Sequence, residues 1–170
     1  MMLKWIGAVL IIFGSGGFGF SLAAAHCREE RNLQQMIRGL DFMQCELQYN
    51  LTPLPVLCRQ TAGQVSGVLQ KLFLNLANEL EDQISPDAEH CMMAALYKTQ
   101  DIPGKCREAA QTLGKTMGRF DLEGQLNGLD SVRSLCRGWL EQLSDGREIR
   151  LRNYQTLGLC AGAALVILFI

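Results

Sequence analysis

Apolar residues recur at three-and-four spacing through the interior of the chain, and two long uncharged stretches close its ends. Leu33, Met36/Ile37, Leu40, Met43 and Leu47 fall on one face of a first interior helix. Thr52-Pro53-Leu54-Pro55 reads as the next helix start, with Thr52 as N-cap and Pro53 at the first helical position. Val65, Val68/Leu69, Leu72/Phe73, Leu76 and Leu80 make the following face. Ser85-Pro86 is a second cap-plus-proline start, for a helix running to about Lys98. Pro103 opens another that ends near Gly118, and Asp121 caps the last. In that last helix Leu122, Leu126, Leu129, Arg133, Cys136, Leu140 and Leu143 form a heptad-like seam with one charged interruption, for which Val132 substitutes. No stretch shows strand alternation bounded by turn residues. The expected fold is all-α: a compact antiparallel bundle of five or six helices, flanked by an N-terminal and a C-terminal transmembrane helix.

The flanking assignment rests on the ends. Trp5–Ala25 is 21 residues without a charge, about 31 Å of helix, which matches the hydrocarbon core of a bilayer. It is longer than the apolar core of a normal signal peptide, although Ala23-Ala24-Ala25 resembles a cleavage site. Leu157–Ile170 is a further 14 uncharged residues, short for a span unless Tyr154, Gln155 and Thr156 extend it at the interface. The chain thus divides into a transmembrane helix over 3–25, a helical bundle over 26–152, and a short transmembrane helix over 153–170. Within the spans, Ser15/Gly19, Gly17/Ser21 and Gly158/Gly162 repeat small residues at four-residue spacing. Such spacing permits close helix approach in lipid, and the two spans are expected to pack as an antiparallel pair.

Charge and thiol content refine this. The chain carries 16 basic and 17 acidic residues, with none of the basic excess of a nucleic-acid binder. Arg28, Arg31, Arg38, Arg147, Arg150 and Arg152 lie on the bundle side of the apolar stretches, against Lys4 on the other. The positive-inside rule then puts the bundle in the cytoplasm. Seven cysteines with no C-x-x-C fit reduced thiols rather than a disulfide framework. Cys45, Cys58, Cys91, Cys106 and Cys136 are read as packing residues.

Catalytic signals are weak. Leu113-Gly114-Lys115-Thr116 looks like the end of a phosphate loop, but Ala109 stands where the first glycine belongs, and a helix, not a strand, precedes it. His26-Cys27 and His90-Cys91 are adjacent pairs, and neighbouring helical residues point about 100° apart, a poor arrangement for chelation. The reading is a non-enzyme with no metal and no cofactor. Two features suit interaction instead. Glu79, Glu81, Asp82, Asp87 and Glu89 form an acidic run with no basic residue between Leu72 and Tyr97, a candidate surface for a basic partner. Gly114, Gly118, Asp121 and Gln125 form a candidate helix corner, with the glycines allowing close approach, Asp121 capping and Gln125 bonding across.

Taken in order, the chain resembles the stage III sporulation protein AB family of endospore-forming bacteria. The residues that carry this are the MMLKWIGAVLII start, Thr52-Pro53-Leu54-Pro55, Gly67 with Lys71-Leu72-Phe73, Leu113-Gly114 with Met117-Gly118, Asp121 and Gln125, and Tyr154-Gln155-Thr156-Leu157-Gly158 before ALVILFI. The resemblance covers essentially the whole chain. It implies similarity to the cytoplasmic helical domain of the F-type inner-membrane platform protein of type II secretion machines. It also implies membership of an eight-protein set that builds a channel between mother cell and forespore. The expected role is a two-pass, non-catalytic membrane platform for that channel, on the mother-cell side of the septum. Its expected partners are the other channel proteins, a cytoplasmic secretion-type ATPase, membrane lipid and further copies of itself. The seven cysteines, the Gly14–Gly19 cluster and Phe120 depart from the family pattern. The competing reading is an exported helical binding protein whose first stretch is cleaved as a signal peptide.

Overall fold

Four of the described helices begin immediately after a proline or an aspartate, namely Pro53, Asp87, Pro103 and Asp121. A computed structural model of the chain describes residues 27–82, 87–117 and 121–144. These form six helices: α1 over 27–49, α2 Leu54–Gln64, α3 Val68–Glu81, α4 Ala88–Lys98, α5 Gly104–Thr116 and α6 over 122–144, with no strand among the described residues. Among the same residues no helix is long and apolar enough to cross a membrane. The segments 3–25 and 153–170 lie outside them, and with them Ser15, Gly17, Gly19, Ser21, Gly158 and Gly162. The bundle proper is the unit Glu29–Leu140, and the described residues outside it are 27, 28 and 141–144.

The helix starts differ in detail from the sequence expectation. Pro53, not Thr52, is the residue before α2, and it has no side-chain cap. The Leu57 N–H instead reaches the Pro53 carbonyl at 2.9 Å. Thr52 is diverted because Glu46 outcompetes the helix end: Thr52 Oγ1 and Asn50 Nδ2 both donate to Glu46 Oε2 at 3.0 Å. That carboxylate ties the corner together around Leu51, which takes a left-handed φ of 49°. α4 starts at Ala88, later than Ser85-Pro86 implied. Its cap is Asp87, whose Oδ1 accepts from the Glu89 N–H at 3.3 Å. Pro103 precedes α5 with ψ 146°, and the Arg107 N–H reaches its carbonyl at 2.9 Å. Between α2 and α3 the chain reverses through Gly67 at φ 70°, a conformation that side chains disfavour.

Successive helices α2 to α5 pack on their chain neighbours. Phe73 sits fully buried on α3 with Leu69, Leu72 and Leu76. α1 turns Leu33, Met36, Leu40, Met43 and Leu47 inward. This is the face its spacing predicted, and each such side chain contributes about 1.5–3 kcal/mol by burial. Gly39 brings α1 against α2 and α3: a Cβ there would lie 3.2 Å from Val65 Cγ1, 3.3 Å from Thr61 Cγ2 and 3.4 Å from Phe73 Cε2. The buried hydroxyls are satisfied locally. Thr61 donates to the Leu57 carbonyl at 2.8 Å, and Thr99 donates to the Ala95 carbonyl at 2.8 Å while accepting from Asn75.

Two expectations are corrected. In α6 the buried apolar side chains are Leu129, Val132 and Cys136, whereas Leu122 is 40% exposed. The seam therefore starts two turns later than its leucines implied. Among the cysteines, Cys58, Cys91, Cys106 and Cys136 are buried and free, but Cys45 is exposed. On α1 it stands opposite the Leu33–Leu47 face, so it packs against nothing in the core.

Candidate functional site

Three interfaces carry whatever chemistry the bundle has. The acidic run is the first. In sequence it lacks a cation, but folding supplies two. Arg59 of α2 donates to Glu81 through Nη2 at 2.6 Å and Nε at 3.3 Å, and Nη2 also reaches Asn78 Oδ1 at 3.1 Å. Lys98, at the end of α4, pairs with Glu79, and that bond raises the lysine pKa above its ordinary value. Asp87 is occupied by the α4 cap and lies 3.7 Å from His90 Nδ1. Two of the five carboxylates of the run, Glu79 and Glu81, are thus paired with cations within the bundle. These carboxylates hold α2, α3 and α4 to one another.

The helix corner is next. Gly114 is fully enclosed, and a Cβ there would lie 2.7 Å from Met92 Cβ and 3.0 Å from Met92 Cγ. The helix that approaches it is α4. Gly118 lies outside the described residues. Asp121 Oδ1 accepts from the Gly124 N–H at 3.0 Å, and its carbonyl accepts from the Gln125 N–H at 3.0 Å, which is N-cap geometry for α6. A glycine that the sequence did not single out matters as much. A Cβ at Gly128 would meet Thr116 Cβ at 2.6 Å, so α5 and α6 touch there backbone to side chain.

The third interface is polar. Arg133 of α6, the interruption in the seam, donates from Nη1 to Asp41 Oδ1 at 3.1 Å and to Gln44 Oε1 at 3.0 Å, both on α1. Its Nη2 pairs with Asp130 on its own helix. These bonds hold the guanidinium pKa above its usual value. The Nε of Arg133 is buried without a partner. A charged residue in a hydrophobic seam was the available signal that a counter-charge lies across the interface.

The thiols are unreactive by environment. Burial pushes Cys58 up to about 12, Cys106 up to about 12 and Cys136 up to about 11, and it raises Cys91 as well. Such groups are poor nucleophiles and poor metal ligands at neutral pH. Among the described residues no group of three or more His, Cys, Asp or Glu side chains is placed to hold a metal ion. Leu113-Gly114-Lys115-Thr116 lies at the end of α5, with Leu113 and Gly114 enclosed in helix packing, so these residues form no phosphate-binding loop.

This helical chain has known counterparts. The sequence profile of the stage III sporulation protein AB family matches residues 4–170. The chain belongs to the stage III sporulation protein AB family. The Stage III sporulation protein AB of Bacillus subtilis (strain 168) is 27% identical over 174 residues, covering 98% of this chain and 99% of that protein. A solved structure of a Stage III sporulation protein AB (SpoIIIAB) superposes with a TM-score of 0.63 at 19% identity, covering 72% of this chain and 98% of that one. That likeness shows the shared helical fold. Membership of the stage III sporulation protein AB family implies a role in sporulation.

Proposed function

We propose that this protein is a non-catalytic membrane platform of a secretion-like channel formed between mother cell and forespore. The family assignment over residues 4–170 carries this reading, and the character of the bundle supports it. Its polar groups are used between helices: Arg59 on Glu81, Lys98 on Glu79, and Arg133 on Asp41 and Gln44. Its buried thiols are held protonated. This is the chemistry of a rigid adaptor, not of an active site.

In this reading the uncharged stretches Trp5–Ala25 and Leu157–Ile170 anchor the chain in the membrane, the bundle faces the cytoplasm, and a secretion-type ATPase docks on it. The exposed Cys45 provides a native reporter of topology. A membrane-impermeant maleimide added to intact sporulating cells is expected to leave Cys45 unmodified and to modify it once the membrane is permeabilised. Labelling in intact cells overturns the cytoplasmic placement. A mature chain shortened by about 25 residues, the length of a signal peptide, identifies an exported, cleaved protein instead.

A further inference from the structure

The corner between α1 and α2 exposes apolar side chains on a backbone that is held fixed. Tyr49 is 74% exposed, Leu51 67% and Val56 45%, all within one short stretch. Leucine disfavours the left-handed φ of 49° that Leu51 adopts. Asn50 and Thr52, both donating to Glu46, keep the turn in that shape, yet the Leu51 side chain is left in solvent. A tyrosine and two aliphatic side chains presented on a braced turn are the kind of surface that protein interfaces use as anchors.

The helix contacts place this corner at one end of the bundle. Gly39 lies against Thr61 and Val65 while Gln35 meets Ser66, so α2 runs back along α1. Arg59 reaches Glu81, which reverses α3 on α2. Asn75 meets Thr99 while Glu79 meets Cys91, which reverses α4 on α3. Gly114 faces Met92, which reverses α5 on α4, and Gly128 near the start of α6 faces Thr116 at the end of α5. Lys105 lies 3.7 Å from Glu29, so α5 starts where α1 starts. The ends of α1, α3 and α5 and the starts of α2, α4 and α6 therefore share the end that Tyr49 occupies. Glu29 lies at the other end, about 30 Å away along α1. At the Tyr49 end, the segments 46–59, 78–82, 87–91, 113–117 and 121–125 hold eight carboxylates. Against them stand the permanent cations Arg59 and Lys115, with Lys98 reaching in to Glu79.

We infer that Tyr49, Leu51 and Val56 are the anchor on which a protein with a basic rim around an apolar socket docks. Charge selects this occupant. A basic rim is attracted to the carboxylate-rich end, whereas anionic headgroups are repelled by it. The uncharged Trp5–Ala25 stretch also joins α1 at the opposite end. A second copy meeting this one about a two-fold axis would bring two acidic ends together. The docking corner deepens the platform reading and rests on it only for which end faces the membrane.

The test irradiates sporulating cells that make the full chain with Tyr49→benzoylphenylalanine. Leu135→benzoylphenylalanine, at an exposed leucine midway along α6, is the comparison. The partner peptide of each adduct is sequenced by mass spectrometry. The expected result is one dominant adduct at position 49 and none at 135, joined to a different protein within a segment of net positive charge. Asp82→Lys with Glu123→Lys should lower its yield at least about fivefold, and so should Leu51→Gly. Leu51→Gly should leave the urea midpoint of the purified chain equal or higher, because glycine accepts the left-handed turn. A lower midpoint makes Leu51 a structural residue and overturns the docking role. No adduct, an adduct with a second copy, with lipid or with a neutral or acidic segment, equal yields at 49 and 135, and yields indifferent to both changes each overturn it as well. Carbonate extraction of the same cells scores the platform reading separately. A chain retained in the membrane pellet without the expected adduct overturns the docking corner and leaves the anchoring intact. The expected adduct on an extractable chain supports the docking corner and overturns the anchoring.

Discussion

The interface between α4 and α5 and the interface between α1 and α6 solve the same packing problem in opposite ways. At the first, Gly114 removes a side chain so that Met92 of α4 rests on the α5 backbone. At the second, Arg133 extends a long charged side chain to Asp41 and Gln44 across the gap. One contact fails when volume is added, the other when a partner is taken away. A bundle built with both has tight, shape-specified pairs and a pair whose register is specified by polar groups.

The largest test of that contrast is volume at the glycines. Gly114→Leu is expected to destabilise the bundle by about 3 kcal/mol or more, because the methionine and the α5 backbone cannot both keep their places. Gly128→Leu should behave alike against Thr116. Denaturant midpoints measure both, and wild-type midpoints would show that these helices slide apart freely. Alkaline pH comes next and acts on the buried thiols. Cys58, Cys106 and Cys136 have folded-state pKa values raised above the ordinary value of 9.0. The stability they confer is complete below that value and is lost as pH rises toward 11 and 12, since the unfolded thiols release protons that the folded ones retain. The loss is about 1.4 kcal/mol per pH unit for each thiol. Urea midpoints at neutral and strongly alkaline pH, compared with a Cys58→Ala variant, isolate it.

Arg133→Ala follows, at about 1–2 kcal/mol, discounted because a quarter of the side chain is exposed. Arg133→Met should cost less than about 1 kcal/mol, the signature of a contact that specifies pairing more than it stabilises. Equal losses for Ala and Met would return the α1–α6 interface to ordinary packing. Asp121→Ala should cost about 1 kcal/mol through the lost α6 cap. The smallest effect runs the other way. Gly63 has open space where a Cβ would stand, so Gly63→Ala should raise stability by about 0.5–1 kcal/mol.

Legibility in the sequence followed how local each contact is. The inward face of α1 could be read from Leu33, Met36, Leu40, Met43 and Leu47 because helical spacing alone fixes it. Asp121 as a cap was equally local. Thr52 misled because its cap geometry competes with Glu46, six residues back, and the carboxylate wins. The pairing of Glu81 was not legible, because its cation Arg59 is 22 residues away on another helix. Cys45 was placed inside by residue type, although its position opposite the leucine face already put it outside. Gly128 left no signal, since what makes it necessary is Thr116 on another helix.

The clamp between Arg133 and Asp41 joins residues 92 positions apart, whereas α2 to α5 pair with immediate neighbours over short turns. Closing so long a loop carries an entropic penalty that short hairpins avoid. During synthesis α1 emerges before the other helices of the bundle, and its arginine-bearing partner α6 emerges after them. The central hairpins should therefore mature while α1 waits with one flank uncovered, and the bundle becomes complete only once α6 has been made.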